Sequence, residues 1–436
     1  MPSPLVQPIP EACDVAVIGA GAAGLATAIF ARRFDPARSV LLLDGARKPG
    51  AKILISGGSR CNVTNAVVDD RDFWGGRRTL IRRVLRAFPV AETRAFFHEL
   101  GIALHQEADG KLFPDSNRAR DVLEALLHEV DRVGAILLTG QRVLDILPST
   151  EGFQVIVPGR AIRARKVVLA TGGQSLPKTG SDGAGYALAR RLGHTIVPTS
   201  PGLVPLVLND SDHPGVPLYR RLSGVAQNVE LTVWIEGAVA RRLVGSLLWT
   251  HVGVSGPVAM NASRHWLRAH IEARPVHITI NFLPGESFAA ADRRWTELAS
   301  ARPGVSVQHA LAMTIPASVA TALLDRSGLD GGQTLAHFTR EDRRRLMHAL
   351  VAWPLDVAGT RGYNFAEVTA GGVALGEIDP ATMQSRRCPG LYLVGEILDV
   401  DGRIGGFNFQ WAWSSARVAG RALASGSRLE PRASGD

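Results

Sequence analysis

The chain has 436 residues, of which 46% are hydrophobic and 20% are charged, and its formal net charge is +9. This length allows two or three domains, and the composition is ordinary for a globular protein. No apolar run reaches the roughly 20 residues that a membrane-spanning helix needs, so we expect a cytoplasmic protein without a membrane partner. The three cysteines, Cys13, Cys61 and Cys388, lack the spacing of a disulfide framework or zinc site, and no metal is predicted.

The positive charge would allow binding of nucleic acid or of anionic substrates. The arginines, however, are dispersed in small groups such as Arg77-Arg78, Arg241-Arg242 and Arg343-Arg344-Arg345. Groups of this size are typical of solvated helix and strand faces. We therefore predict a small-molecule substrate, and nucleic-acid binding is the less favoured interpretation.

The first motif is an apolar run over residues 14–18 that passes through glycines into a helix of small residues. Gly19 allows a tight turn, Gly21 lets the backbone approach a pyrophosphate, and Gly24 lets the helix pack closely on the strand. The helix, which begins at Ala22, would direct unpaired N–H groups towards the phosphates. The pattern predicts a dinucleotide-binding turn.

A second apolar run over residues 39–43 predicts another buried strand, which ends at Asp44. Asp44 lies 20 positions after Gly24, the spacing of the carboxylate that binds a ribose in dinucleotide-binding folds. We therefore assign Asp44 and Gly45 to the cofactor. The alternative is that this Asp-Gly pair only forms a turn.

Residues 48–65 form a glycine-rich and polar segment, which we interpret as a loop. Backbone N–H groups around Ser56 and Gly57 could line a second anion site. Lys52 and Arg60 could neutralise phosphate or contact an electron-rich ring. The alternative is a surface loop without a ligand.

Helical spacing then predicts helices over residues 79–86, 91–100 and 119–132. Residues 142–146 and 154–157 are predicted as strands of a small antiparallel insertion, in which backbone groups of Val143 would bind adenine. A buried strand over residues 165–169 follows and leads to Thr171 and Gly172, which we place against the dinucleotide. The alternative is an ordinary turn between a strand and a helix.

From about residue 196 the chain is rich in proline and β-forming residues, and a set of helical runs follows. We predict that residues 1–195 form the first part of an FAD-binding domain and residues 373–436 its second part. Between them lie the first part of an inserted β domain (196–285), a helical lobe (286–350) and the return of the β domain (351–372).

Near the end, a strand over residues 390–394 leads through a glycine-rich loop into a helix predicted over residues 409–424. This loop and helix N-terminus form a second anion-favouring site, suited to the ribityl and pyrimidine end of a flavin. Glu396 would accept a hydrogen bond from a ribityl hydroxyl, unless it is a solvated turn residue. The assigned residues are Gly395, Glu396, Gly405, Gly406 and Asn408.

Several segments resemble, in order, the BaiN/RdsA-type (aminoacetone oxidase-like) family of bacterial FAD-dependent oxidoreductases. They cover residues 51–65, 110–117, 179–183, 250–257 and 367–372. The resemblance implies an FAD protein that reduces an activated carbon–carbon double bond with electrons from NAD(P)H. Because no second complete GxGxxG motif is present, the nicotinamide cofactor would dock transiently.

We therefore expect an α/β protein with a Rossmann-like FAD-binding domain built from both chain ends. Two other functions stay open. One is an amine oxidase that passes electrons to O2, and the other is an RNA-binding flavoprotein, which salt-dependent RNA retention would reveal. No oligomeric state is predicted.

Two residues are candidate catalytic groups. Cys61 would lie near the flavin ring, unless it is only a small buried packing residue. His251 follows an apolar run, and Pro257 suits the first turn of a helix, so we place His251 at a strand-to-helix junction facing a cleft. An imidazole there could deliver a proton to the substrate near neutral pH. The alternative is a histidine that hydrogen-bonds to the turn backbone.

Overall fold

The computed structural model describes residues 10–209 and 217–425. The chain divides into unit 1, Met1–Pro201 with Glu367–Asp436, and unit 2, Gly202–Ala366. The finer five-part division remains a prediction. Within the described ranges, no helix is both long and apolar enough to cross a bilayer.

The first part of the chain alternates strands and helices. Its strands are β1 (Ala12–Ile18), β2 (Val40–Asp44), β3 (Thr64–Asn65), β4 (Phe73–Gly75), β5 (Leu104–Gln106), β6 (Lys111–Pro114), β7 (Ile136–Thr139), β8 (Asp145–Ser149), β9 (Gly152–Val157), β10 (Arg160–Leu169) and β11 (Ile196–Gly202). Its helices are α1 (Ala22–Phe34), α2 (Ala51–Ser59), α3 (Arg78–Ala87), α4 (Val90–Glu99), α5 (Ala119–Arg132) and α6 (Ala184–Arg191).

Unit 2 follows, and the chain then returns to unit 1. The strands of unit 2 are β12 (Leu206–Leu208), β13 (Ala226–Ile235), β14 (Ala238–Thr250), β15 (Gly253–Ser255), β16 (Val276–Asn281), β17 (Trp353–Leu355) and β18 (Val357–Thr360). Its helices are α7 (Leu218–Arg221), α8 (Pro257–Ile271), α9 (Phe288–Ala301), α10 (Val307–Ala312), α11 (Ala317–Ser327) and α12 (Arg340–Val351). The returning elements are β19 (Val368–Val373), β20 (Leu391–Leu393), β21 (Val400–Gly402) and α13 (Phe407–Leu423).

The main sheet of unit 1 has the order β7-β2-β1-β10-β9-β8, and β20 pairs with the end of β10. Strands β7, β2, β1, β10 and β20 are parallel, whereas β9 and β8 are antiparallel additions. Residues 40–43 are almost fully buried, as expected for a parallel strand covered on both faces. Because β1 and β20 both pair with β10, the two ends of the chain build one sheet. The predicted Rossmann-like α/β class is confirmed.

The sheet of unit 2 runs β17-β16-β13-β14-β15-β12-β18 among the described residues. Only Asp356 separates β17 from β18, although these strands lie at opposite ends of that order. The chain therefore passes directly from one end of this sheet to the other. Helix α8 packs against β13 and β14, and the helices α9 to α12 share the apolar core of the sheet.

Two predicted elements of unit 1 were wrong. The segment 48–65 is not all loop, because α2 occupies Ala51–Ser59. The strand predicted over residues 142–146 begins only at Asp145. The reason is that Gln141 donates its backbone N–H to the Asp44 carbonyl, so the chain first bonds to the end of β2. Helix α5 has the predicted bounds.

A buried histidine connects the end of α6 to the segment before β20. His194 Nδ1 lies 2.9 Å from Glu377 Oε2, and His194 Nε2 lies 2.8 Å from Ser385 Oγ. Thr195 donates both its backbone N–H and its hydroxyl to the Glu377 carboxylate. Burial alone would raise the pKa of Glu377, but the hydrogen bonds from Thr195, His194 and Arg387 lower it below its usual value.

We predict that Glu377→Gln lowers the free energy of unfolding at pH 7 by about 1–3 kcal/mol, the usual cost of disrupting hydrogen bonds to a buried charged group. The folded-state pKa of Glu377 is lower than its unfolded value. Its stabilising contribution is therefore present above the unfolded pKa and is lost as the pH falls through the folded pKa. Urea unfolding at several pH values measures this, with the exposed Glu151→Gln as control. A difference that does not shrink at low pH would contradict the assignment.

Candidate cofactor-binding and active site

The turn from β1 into α1 has the geometry of a phosphate cradle. Gly19 has φ +103°, and a Cβ atom there would lie 2.5 Å from the Ala170 carbonyl oxygen. A Cβ atom on Gly24 would overlap the carbonyl oxygen of Gly19, whereas one on Gly21 would meet no protein atom within 4 Å. Helix α1 has neither a capping side chain nor an acidic residue in its first turn. Its first N–H groups, from Ala22 onwards, therefore favour an anion.

Asp44 lies beside this turn at the end of β2. Its carboxylate accepts hydrogen bonds from the backbone N–H groups of Ala20 and Ala46, both at 2.7 Å. Each carboxylate oxygen keeps a further lone pair with which a ribose hydroxyl could bond. A Cβ atom on Gly45 would lie 3.3 Å from the Arg142 side chain, so this turn packs against the connection to β8. Val143, predicted to bind adenine, lies in that connection and is buried.

An ion pair joins α2 to the segment after β20. Lys52 Nζ lies 2.6 Å from Glu396 Oε2 and 2.7 Å from Ser175 Oγ. The other Glu396 oxygen accepts hydrogen bonds from Ser175 Oγ and from the backbone N–H of Thr369, both at 2.9 Å. A Cβ atom on Gly173 would collide with the Thr369 side chain. Lys52 is thus paired with a carboxylate, and Glu396 is not the solvated turn residue of the alternative interpretation.

The second half of α2 ends in an irregular backbone. Ser56 has an extended conformation, and Gly57 and Gly58 have φ of +55° and +68°. Arg60 forms an ion pair of 2.6 Å with Glu107. Its guanidinium carbon also lies 4.1 Å from the centroid of the Phe113 ring. In the structure, the charge of Arg60 is therefore balanced by a protein carboxylate.

Cys61 is completely buried and has φ +62°. Burial raises the pKa of its thiol to about 12, despite the opposing hydrogen bond with the Ser56 side chain. A thiol with this pKa remains neutral at physiological pH and is a poor nucleophile. The geometry thus favours the packing interpretation of Cys61 over a thiolate role.

The N-terminus of α13 forms the second cradle. Gly405 and Gly406 have φ of +120° and +92°, and the helix has no capping side chain and no acidic residue in its first turn. A Cβ atom on Gly406 would collide with the backbone of Thr64. Asn65 braces the loop by donating its amide to the Gly405 carbonyl at 3.1 Å.

Asn408 also braces this loop. Its side chain accepts a hydrogen bond from the backbone N–H of Gly402 and donates one to the Gly402 carbonyl. Asn408 thus holds the loop in shape through both ends of its amide.

The two cradles meet within unit 1. A Cβ atom on Gly395 would lie 2.7 Å from the Cβ atom of Ala23 in the first turn of α1. Trp411 of α13 donates its indole N–H to the Gly395 carbonyl at 3.1 Å. Thr171 and Gly172 follow β10 beside Ala170, the residue that contacts Gly19. The structure therefore brings both ends of the chain to one place.

Asn62 carries one of several buried polar atoms for which the part of the chain that the structure describes shows no hydrogen bond. Asn62 Oδ1 is inaccessible to solvent and accepts no hydrogen bond, and its residue packs against Gly57. An unsatisfied buried polar atom costs about 1–3 kcal/mol, but water does not reach this oxygen, so a bound group would reach it only after a rearrangement. The fit to a flavin dinucleotide therefore rests on the two uncapped helix N-termini and the open space at Gly21.

His251 lies in unit 2, with an exposed side chain. The predicted strand-to-helix junction was wrong, because His251 belongs to the short turn between β14 and β15. The apolar run continues into β15 before Pro257 begins α8, as predicted. Gly253 pairs with Thr250, which explains why the chain turns at His251.

Several residues of the site were not singled out from the sequence: Asn62, Ser175, Glu367 and Thr369. Glu367 precedes β19, and its carbonyl oxygen lies 3.2 Å from Ser175 Oγ. Glu367 is exposed to solvent, although the protein atoms around it raise the pKa of its carboxyl group by desolvation, an effect that the charge of Lys111 partly offsets. A raised pKa is the only signal of function at Glu367, and it needs the folded structure. No group of three or more metal-binding side chains occurs in the described ranges.

The fold and the paired cradles define a dinucleotide-binding flavoprotein of the Rossmann class. The sequence model of the family described as HI0933-like protein Rossmann domain matches residues 13–422. The chain belongs to this family of FAD-dependent oxidoreductases, and the predicted BaiN/RdsA-type membership is confirmed.

Two relatives and one solved structure illustrate the similarity. The chain is 34% identical over 410 residues to the 3-dehydro-bile acid delta(4,6)-reductase of Clostridium scindens, covering 94% of this chain and 98% of the relative. It is 35% identical over 409 residues to the ribosomal RNA dihydrouridine synthase of Escherichia coli, covering 93% and 96%. A quinol-fumarate reductase has a similar fold, with TM-score 0.50, 16% identity, and coverage of 96% of this chain and 71% of that chain.

We predict that Gly21→Val folds but does not retain FAD. The φ and ψ of Gly21, −81° and −170°, are open to any residue, and its Cβ position touches no protein atom, so the new side chain would occupy only the pyrophosphate approach. The matched variant Gly24→Ala should instead lower the melting temperature, because its methyl group overlaps the Gly19 carbonyl. Flavin absorbance per protein and thermal melts measure both. A Gly21→Val protein purified with full flavin content would refute the cradle.

Proposed function

We propose that this protein reduces a carbon–carbon double bond conjugated to a carbonyl group, with NAD(P)H as electron donor. The proposal rests on the type of reaction that the two relatives have in common. A delta(4,6)-reductase of a 3-dehydro compound and a dihydrouridine synthase both saturate a double bond conjugated to a carbonyl group. Such a bond is polarised, which makes it a suitable acceptor for an electron pair.

FAD, when bound, supplies the two-electron chemistry. The chain's residues would hold its two ends. The N-terminus of α1 and Asp44 suit the pyrophosphate and a ribose, and the N-terminus of α13 suits the pyrimidine ring, where a positive helix end stabilises negative charge. The ion pair of Lys52 and Glu396 would keep the surrounding segments in position.

The reaction also needs a proton. NAD(P)H provides an electron pair with one hydrogen, and the second carbon of the former double bond takes a proton from an acid. His251 in unit 2 and Glu367 in unit 1 are the two candidates. His251 offers an exposed imidazole. Glu367 has a carboxyl group whose pKa is raised by desolvation and which is therefore protonated more readily than a free carboxylate.

An anaerobic titration of the purified yellow protein with NADH and NADPH tests the donor. We expect one of them to bleach the flavin absorbance in a 1:1 ratio with bound FAD, and an α,β-unsaturated ketone or uridine to restore it. Dithionite serves as the control that the flavin can be reduced. If neither nicotinamide bleaches the flavin while dithionite does, the proposed donor is wrong.

An amine oxidase that uses O2 is the alternative within the same class. It is distinguished by admitting air to the bleached protein without another acceptor. Fast recovery of the flavin colour, with hydrogen peroxide formed in equal amount, would favour the oxidase. Slow recovery favours the reductase.

An RNA-binding flavoprotein is the second alternative. It is favoured by the relative named ribosomal RNA dihydrouridine synthase and by the net charge of +9. In that case the reducible double bond would belong to a uracil base within RNA. RNA that stays bound at low salt and is released at high salt would support it.

We predict that replacing the proton donor slows only the half-reaction with substrate. If His251 is the donor, His251→Gln should leave bleaching by the nicotinamide nearly intact and slow recovery by the substrate. If Glu367 is the donor, Glu367→Gln should show that pattern instead. Stopped-flow absorbance measures both steps. Equal slowing of both half-reactions, or of neither, in a variant would reject its residue as the donor.

The folded-state pKa of Glu367 gives a second readout, independent of turnover. Because this pKa is raised, the carboxylate makes the folded protein less stable as the pH rises through it. The stability of Glu367→Gln relative to the parent should therefore increase with pH above the unfolded pKa. A difference in unfolding free energy between Glu367→Gln and the parent that is the same at all pH values would contradict the raised pKa.

A further inference from the structure

Helix α3 carries a continuous stripe of arginines on its outer face. Ile81, Val84 and Leu85 are buried. The helical positions of the arginines place them side by side on the opposite, solvent-facing part of the helix. We call this set the α3 basic face, and its exposed members are Arg77, Arg78, Arg82, Arg83 and Arg86.

Acidic residues of the neighbouring turn neutralise little of this charge. Asp70 pairs with Arg82 at 2.7 Å. The other two aspartates of the turn pair with arginines outside the α3 basic face, Asp69 with Arg71 and Asp72 with Arg403. Among the described residues, no ion pair involves the other four arginines of the α3 basic face.

This arrangement is unfavourable for the helix itself. Arg78 and Arg82, and Arg82 and Arg86, are like charges four residues apart, a spacing that destabilises helices. Arg77 and Arg78 also stand at the positive end of the helix dipole, and the first turn has no acidic residue. Asp70 offsets the charge of Arg82, whereas no ion pair among the described residues offsets the charges of Arg77, Arg78, Arg83 and Arg86. A bound polyanion would offset them.

The α3 basic face is directly connected to the second cradle. Strand β4, which precedes it, pairs with β21, and β21 leads to Gly405 and Gly406. Gly76, the residue before the basic face, donates its N–H to the Asp399 carbonyl at 2.8 Å. The N-terminal end of the α3 basic face is thus held by the segment that leads to the second cradle.

We propose that the α3 basic face binds the phosphate backbone of RNA. The stripe from Arg78 to Arg86 extends over about 12 Å of helix, at 1.5 Å per residue, which suits successive phosphates better than one free phosphate. Guanidinium groups are suited to bidentate phosphate contacts. A lipid surface fits poorly, because membrane-binding helices need an exposed apolar side, and that of α3 is buried in the protein.

The test measures binding of a short labelled RNA stem-loop to the FAD-loaded full chain over a range of salt concentrations. The variant combines Arg77→Gln, Arg78→Gln, Arg83→Gln and Arg86→Gln. Each phosphate contact contributes roughly 0.7 to 0.9 to the slope of log affinity against log salt, so this slope should fall by about 3. The control removes the same charge from exposed helical positions elsewhere, with Arg120→Gln, Arg190→Gln, Arg293→Gln and Arg340→Gln.

The proposal predicts that the control keeps the parent slope. It also predicts that the α3 variant melts no lower than the parent, because the removed charges repel one another. An unchanged slope in the α3 variant, or an equal loss in the control, would overturn the proposal. So would α3-dependent binding to phosphatidylglycerol vesicles without α3-dependent RNA binding. Because no turnover is measured, failure here leaves the proposed reaction standing, and failure of that reaction leaves this surface testable.

Discussion

The ion pair between Lys52 and Glu396 is the constraint on which the site depends. It joins side chains 344 positions apart, and Ser175 and Thr369 complete its hydrogen bonds. Both side chains are largely shielded from water, so removing one partner would leave the other charge poorly compensated. The pair thereby fixes α2, the segment after β10, β19 and the segment after β20 relative to one another.

This constraint matters because each cradle alone is only half of a dinucleotide site. The N-termini of α1 and α13 are both uncapped and both lack acidic residues in the first turn, so each presents unpaired N–H groups. Gly395 packs against Ala23, which sets the two cradles side by side. A cofactor with a phosphate group at its centre and an electron-accepting ring at one end needs both cradles. Because one cradle comes from each end of the chain, both chain ends must contribute to one sheet.

The local motifs could be predicted from the sequence, because the glycine turn, Asp44 and helix α5 each depend on near neighbours in the chain. The pairing of Lys52 with Glu396 could not, since nothing local relates residues so far apart. Helix α2 was missed because Ser56, Gly57 and Gly58 resemble a loop, and they do break its helical backbone. Only the end of strand β14, the apolar run before His251, was predicted. Its first part was missed because the Glu236-Gly237 turn, with φ of +54° and +79°, lacks the usual Asn-Gly or Asp-Gly signal.

The central proposal is that FAD held by this fold saturates a conjugated double bond. A single turnover without a nicotinamide tests it most directly. Holoenzyme reduced with dithionite, freed of excess reductant and mixed anaerobically with an α,β-unsaturated ketone or with uridine-containing RNA, should yield one saturated product per bound FAD. Product analysis by mass spectrometry gives this ratio. Absence of saturated product with either acceptor, from protein that O2 reoxidises rapidly with peroxide release, would contradict the account.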